Sequence, residues 1–386
     1  MPLEPFSIPF SHHAVDDLRH RLVRTRWPDE IAGSNWEYGF DLRFLQEICD
    51  YWRERFDWKA QVEKLSTLHH RRYVSDGIGI HFIHERGKGP APIPIILTHG
   101  WPGSFLEMMR IIPLLTDPAS HGADHADSFD VVVPSLPGYG FSDRPTCRGM
   151  NLFRTAELWA GMMEELGYVR FAAQGGDLGA GVTTILGLRH AHRMIGIHLN
   201  YIPGSFRPHL EPGTKLNGTE EEFLKSVVSW SDESGAYAHV QRTRPQTAAY
   251  GLNDSPAGLA AWILEKFREW SDCDGDLYNR FSRDELLANV TLYWITGSAN
   301  AANRSYYERA RETRRITSRI TVPTGVALTS EAIQRPPREL AERSFADIRR
   351  WVDLPRGGHF VAGEAPEVLA EELRAFFRPF RSARGL

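Results

Sequence analysis

The ten residues AAQGGDLGAG, at positions 172–181, restrict the fold of this chain more than any other stretch. Gly175, Gly176 and Gly179 surround Asp177 in the spacing G-x-D-x-G. Glycines at those points let a strand turn abruptly into a helix, because no side chain crowds the bend and the central residue stands clear at its tip. The arrangement is that of a nucleophile elbow with a carboxylate in place of serine. Aspartate is also a favoured helix N-cap, so Asp177 taken alone fits either role. Its surroundings favour the elbow: the β-rich YVRFAAQ precedes it and the small-residue helical pattern GAGVTTILGLRHAH follows.

The same alternation extends in both directions. PIPIILTHG and DVVVPSLPG are short apolar runs ending in Gly or Pro, as buried parallel strands are. NLFRTAELWAGMMEELG places Leu152, Ala156, Trp159, Met163 and Leu166 on one helical face, and MIGIHLNYI reads as the next strand. The pattern predicts an α/β fold with a mostly parallel, doubly wound sheet. Between 203 and 287 it breaks down into the helical FLKSVVSW and SPAGLAAWILEKFREW; it resumes with TVPTGVALTS, WVDLPRGGHF and the amphipathic APEVLAEELRAFF. The expected organisation is a core in two parts, 91–202 and 288–386, with a helical lid, 203–287, over the C-terminal ends of the strands. Residues 1–90 form an N-terminal region packed on that core, with helical patterns such as DLRFLQEICDYWRERF.

Composition excludes several classes of function. A chain of 386 residues can bury a large core, and a net charge of -4 offers no basic footprint for nucleic acid or an anionic membrane. Cys49, Cys147 and Cys273 are far apart, which argues against a disulfide framework or a cysteine zinc site. No stretch approaches the roughly 18–20 apolar residues of a membrane helix, and the N-terminus lacks a signal-peptide pattern; a soluble, cytoplasmic protein is expected. Among the 16 histidines, His12, His13, His69, His70, His190 and His192 show no metal-ligand spacing with acidic partners. Neither a metal nor a cofactor is expected.

A carboxylate nucleophile suits a saturated carbon. Serine would leave an ether there, whereas a carboxylate leaves an ester that water can cleave at the enzyme's own carbonyl. Aspartate ionises near pH ~3.9, so its attack needs no general base. The target is therefore an sp3 carbon with a strained or good leaving group, an epoxide or an alkyl halide. Ester cleavage does need a base, and RGGHF supplies His359 after a strand pattern near the C-terminus, 182 residues beyond Asp177. Its orienting acid is expected after the preceding strand, at Glu331 in VALTSEAIQRPPREL, with Asp353 as the alternative inside the next strand. In THGWPGS, the Trp101 N–H is placed to form an oxyanion hole with that of Leu178.

Together these residues resemble the epoxide hydrolase family of the α/β-hydrolase fold, in its microsomal-type branch. The resemblance covers almost the whole chain, from PFSIPFSHHAVDDLRHRLVRTRWPDE through HGWPGS, PSLPGYGFSDRP, GGDLG, RTRPQTAAYGLNDSPAGLAAWILEKF, NRSYYERARE and VPTGVAL to RGGHF. It implies Asp177 as nucleophile, His359 as general base, and two lid tyrosines that hold and protonate the epoxide oxygen. Tyr237 in SGAYAHVQ and Tyr307 in NRSYYER match those tyrosines, with Tyr306 and Tyr250 as fallbacks. Phenols, with pKa near 10, remain donors at neutral pH. The implied partner is a small-molecule epoxide, bulky and aryl or polycyclic given 11% aromatic residues, in detoxification or natural-product biosynthesis; homodimerisation is left open. The chain departs from the family in having Leu178 where tryptophan commonly follows the nucleophile. It has Ala332, beside Glu331, in the register of the family's acid, and the N-terminal membrane anchor of the microsomal enzymes is expected to be absent. The rival readings are a haloalkane dehalogenase, which Leu178 disfavours, and a hydrolase-fold binding protein without turnover.

Overall fold

In the computed structural model, residues 3–201, 213–314, 318–330 and 335–381 are described. Nine strands build one sheet: β1 (Leu3–Pro5), β2 (His70–Ser75), β3 (Ile78–Glu85), β4 (Ile93–Thr98), β5 (Phe129–Pro134), β6 (Phe171–Gly175), β7 (Met194–Leu199), β8 (Thr324–Leu328) and β9 (Ile348–Asp353). Their spatial order is β1-β2-β3-β5-β4-β6-β7-β8-β9. Every pairing from β5 to β9 is parallel. Strands β4, β5 and β6 are buried at every position, which is why they read as continuous apolar runs without alternation.

The N-terminal region supplies strands as well as helices. Helices α1 (His12–Val23), α2 (Leu42–Glu54) and α3 (Trp58–Leu65) are followed by a hairpin, and β1, β2 and β3 extend the sheet on one edge as antiparallel strands. The hairpin turn is Asp76-Gly77, with φ of 49° and 75°, the left-handed pair that a two-residue connection requires. The side chain of Asp41 caps α2 by accepting the Phe44 N–H, and α2 buries Leu45, Ile48, Cys49 and Trp52. Trp52 Nε1 donates to Thr291 Oγ1 at 2.8 Å, which fastens this region to the lid as well as to the core.

Helices α4 (Ile111–Thr116), α5 (Leu152–Glu165), α6 (Asp177–Arg189), α13 (Arg338–Glu342), α14 (Val361–Glu364) and α15 (Pro366–Phe377) belong to the sheet-bearing core. The lid is α7 (Gly218–Glu233), α8 (Ala236–Thr243), α9 (Pro245–Asp254), α10 (Pro256–Trp270), α11 (Arg283–Thr296) and α12 (Ala299–Ala310). Its boundary differs from the expected 287. Helix α12 packs on α8 and α9, and the next strand begins only at Thr324, so the helical excursion runs to Ala310. No helix among the described residues is long and apolar enough to cross a membrane.

Candidate active site

Strands β4 and β6 are parallel neighbours with Thr98 opposite Gly175, so the loops leaving them start side by side. Gly176 is extended (φ -116°, ψ 166°), and Asp177 opens α6 at φ 47°, a left-handed conformation for a residue with a Cβ. Such backbone costs roughly 1–3 kcal/mol and persists only where its surroundings enforce it. Two glycines do so here. A Cβ on Gly179 would lie 1.9 Å from the Thr98 carbonyl oxygen, and one on Gly100 would lie 2.3 Å from Asp177 Cβ and 2.4 Å from its Oδ1. Gly100 is thus the gap through which the carboxylate approaches the backbone of the next loop.

There the Trp101 N–H donates to Asp177 Oδ1 at 2.9 Å. The first intrahelical bond of α6 runs from Ala180 N–H to Gly176 O, which leaves the Leu178 N–H ahead of the helical ladder. The Leu178 side chain itself is buried. The other carboxylate oxygen, Oδ2, stands 3.8 Å from His359 Nε2, beyond a direct hydrogen bond and within the span that one water bridges. His359 is buried, with its ring 4.9 Å from that of Trp270 and 4.8 Å from that of Phe360. Its backbone N–H donates to the Trp270 carbonyl at 2.8 Å. Glu364, unnoticed in the sequence, accepts the N–H groups on both sides of His359, from Gly358 at 3.0 Å and Phe360 at 2.8 Å, and that of Asp272 at 2.7 Å. Its carboxylate thereby ties the histidine loop to the segment that follows α10.

Glu331 and its neighbour Ala332 lie outside the described residues. The alternative acid, Asp353, is mostly exposed and paired with Arg335.

The lid contributes Tyr237 from α8, whose ring stacks on Trp101 with centroids 4.8 Å apart and planes at 7°. The tyrosine beside it is Tyr306, with its ring 6.1 Å from Tyr237 and 6.0 Å from Trp101. Tyr307, the residue expected there, is displaced by the 100° step of the helix; it is half-buried under Arg311, whose Cζ is 3.3 Å from its ring centre. Tyr250 is 73% exposed on α9. Burial first, then Tyr237 and the Asp177 carboxylate, push the Tyr306 phenol well above its ordinary pKa, so it keeps its proton at neutral pH. Trp230 and Trp270 complete an aromatic wall around Tyr237.

A second carboxyl was missed. Glu107, in the short 3-10 turn Phe105–Met108, is half-buried, and its Oε1, which is closed off from solvent, has no hydrogen-bond partner among the described residues. A Cβ on Gly103 would fall 1.3 Å from that oxygen. Burial chiefly pushes its pKa up to about 8; the His359 charge opposes the shift, while Asp177 and Glu364 add to it. The one clue in the sequence is a lone acid inside the otherwise apolar FLEMM. No group of three or more His, Cys, Asp or Glu among the described residues is placed to hold a metal.

Comparisons with known proteins agree with this architecture. The family model of the epoxide hydrolase N terminus matches residues 3–108, and that of the alpha/beta hydrolase fold matches residues 93–250. Epoxide hydrolase 1 of Oryctolagus cuniculus is 38% identical, over 97% of this chain and 88% of its own. The crystal structure of juvenile hormone epoxide hydrolase from the silkworm Bombyx mori superposes with a TM-score of 0.85 at 31% identity, covering 99% of this chain and 95% of that one. The Aspergillus niger epoxide hydrolase gives 0.84 at 27% identity, covering 98% and 97%.

Proposed function

This chain belongs to the epoxide hydrolases of the α/β-hydrolase fold, and from that premise we propose that it opens its substrate through a covalent ester on Asp177. The observation that carries the reading is the convergence on one carboxylate: Oδ1 held by the Trp101 N–H, Oδ2 facing His359, and two phenols above. With Oδ1 anchored, Oδ2 is the attacking atom. It forms a bond to a ring carbon as the carbon–oxygen bond breaks, and the electron pair stays on oxygen, which takes a proton from Tyr237 or Tyr306.

Water then enters between His359 and the ester. His359 takes its proton, hydroxide adds to Asp177 Cγ, and the oxyanion on Oδ1 meets the Trp101 and Leu178 N–H groups. Collapse expels the diol oxygen, which receives the proton from His359, and the proton left on the regenerated acid restores the tyrosine. Glu107, neutral below about pH 8, has an O–H to offer that water. The wall of Trp101, Trp230, Trp270, Tyr237 and Tyr306 favours an aryl or polycyclic epoxide.

The test is a single turnover with styrene oxide in heavy-oxygen water, with intact-mass analysis of a His359→Gln variant. The expected result is an unlabelled first diol, label in Asp177 on repeated turnover, and a variant heavier by one substrate. Label in the first diol, with no mass added to an enzyme that turns over, would overturn the ester.

A further inference from the structure

Lys266 is a buried cation with no part in the scheme so far. It lies on α10 at 5% exposure, and its Nζ sits over two rings, 5.2 Å from the centroid of Tyr237 and 5.8 Å from that of Trp270. It pairs with Glu269 at 2.8 Å and Glu265 at 3.3 Å, both on its own helix and both more open to solvent than the ammonium. Ion pairing alone does not explain the burial, because a lysine on the helix surface could serve the same carboxylates without being desolvated. Tyr306 has a cation of its own, Arg309, with Cζ 5.9 Å from the ring centre.

Resting on the ester mechanism above, we infer that Lys266 is a positioning residue that acts through Tyr237, strengthening its phenol as the proton donor to the opening epoxide. Burial beside a carboxylate disfavours a phenolate, which would be desolvated and repelled, and it raises the pKa of Tyr306. An ammonium held against the ring stabilises the negative charge that grows on the phenol as its proton leaves. Among the described residues, the charged and titratable groups around Tyr237 and its neighbour Tyr306 include Lys266, Glu265 and Glu269 on α10, Tyr306 and Arg309 on α12, and Asp177 at the elbow. Lys266 faces Tyr237 and Arg309 faces Tyr306, each favouring the phenolate beside it; the glutamates temper the former.

The experiment is single-turnover ester formation measured against pH. Lys266→Met should slow ester formation about tenfold, move the basic limb of the profile to higher pH and leave ester hydrolysis unchanged. Lys266→Arg should restore the rate, and in a Tyr237→Phe background Lys266→Met should have no further effect on ester formation. Glu269→Gln, which unmasks the ammonium, should move the basic limb to lower pH; it decides the matter alone if Lys266→Met does not fold. Equal losses from Lys266→Met with and without the Tyr237 hydroxyl, or a basic limb unmoved by Glu269→Gln, would overturn the inference. A wild-type enzyme that turns over without an Asp177 ester would instead remove the mechanism beneath it.

Discussion

The two halves of the site are held by different means. On the core side, Asp177, Trp101 and His359 are positioned by backbone: a left-handed residue, glycines that admit close approach, and N–H groups fixed by parallel strands and by Glu364. On the lid side, Tyr237 and Tyr306 are positioned by side chains on helices, through ring stacking and the phase of α8 and α12. Backbone placement tolerates almost no added atom, whereas placement by helix phase tolerates a change of any residue that is out of phase.

The largest effect should therefore come from one methyl group on the core side. Gly100→Ala puts a Cβ 2.3 Å from Asp177 Cβ, so either the carboxylate or the loop must move. A displacement of about 1 Å at a reacting group costs on the order of a hundredfold in rate. The loss should appear in ester formation, with circular dichroism showing a folded protein. Unchanged kinetics would mean that the elbow is not as tightly determined as its contacts imply.

The lid side is broken by a pair of substitutions one residue apart. Tyr306→Phe should slow ester formation by about ten- to a hundredfold, because the proposed mechanism then loses one of its two donors to the oxygen. Tyr307→Phe should leave turnover as it was, since that ring packs on Arg311. The reverse outcome would place α12 a hundred degrees out of phase.

That pair also marks where the sequence stopped being legible. The elbow and the core strands could be read because local spacing determines them: glycines at fixed offsets and apolar runs that end in turn residues. His359 could be read because it follows a strand pattern. The choice between Tyr306 and Tyr307 could not, since both satisfy the same short motif and only the packing of α12 on α8 and α9 separates them. The end of the helical stretch was hard to read for a related reason: α11 buries every residue from Leu286 to Tyr293, most of them apolar, and such a run reads equally well as core. The hairpin at Asp76-Gly77 did carry a local signal, a two-residue turn between β-rich runs. Glu107 carried almost none, because its role comes from tertiary burial.

Glu107 gives the smallest effect and the sharpest contrast between the halves, because the core side stores a titratable group in its interior. Its pKa stands at about 8 when folded, against an ordinary 4.5. Between those values the folded protein keeps a proton that the unfolded chain gives up, so stability falls as pH rises from about 4.5 to about 8. The cost across that window is on the order of a few kcal/mol at most, since burial sets it and local relaxation reduces it. Glu107→Gln fills the same space without ionising. The difference in melting temperature between pH 5 and pH 8.5 should shrink in the variant, and ester hydrolysis should slow only a few-fold. Parallel pH–stability curves for the two proteins would show that Glu107 is solvated in solution, and the core side would then hold its geometry without any buried acid.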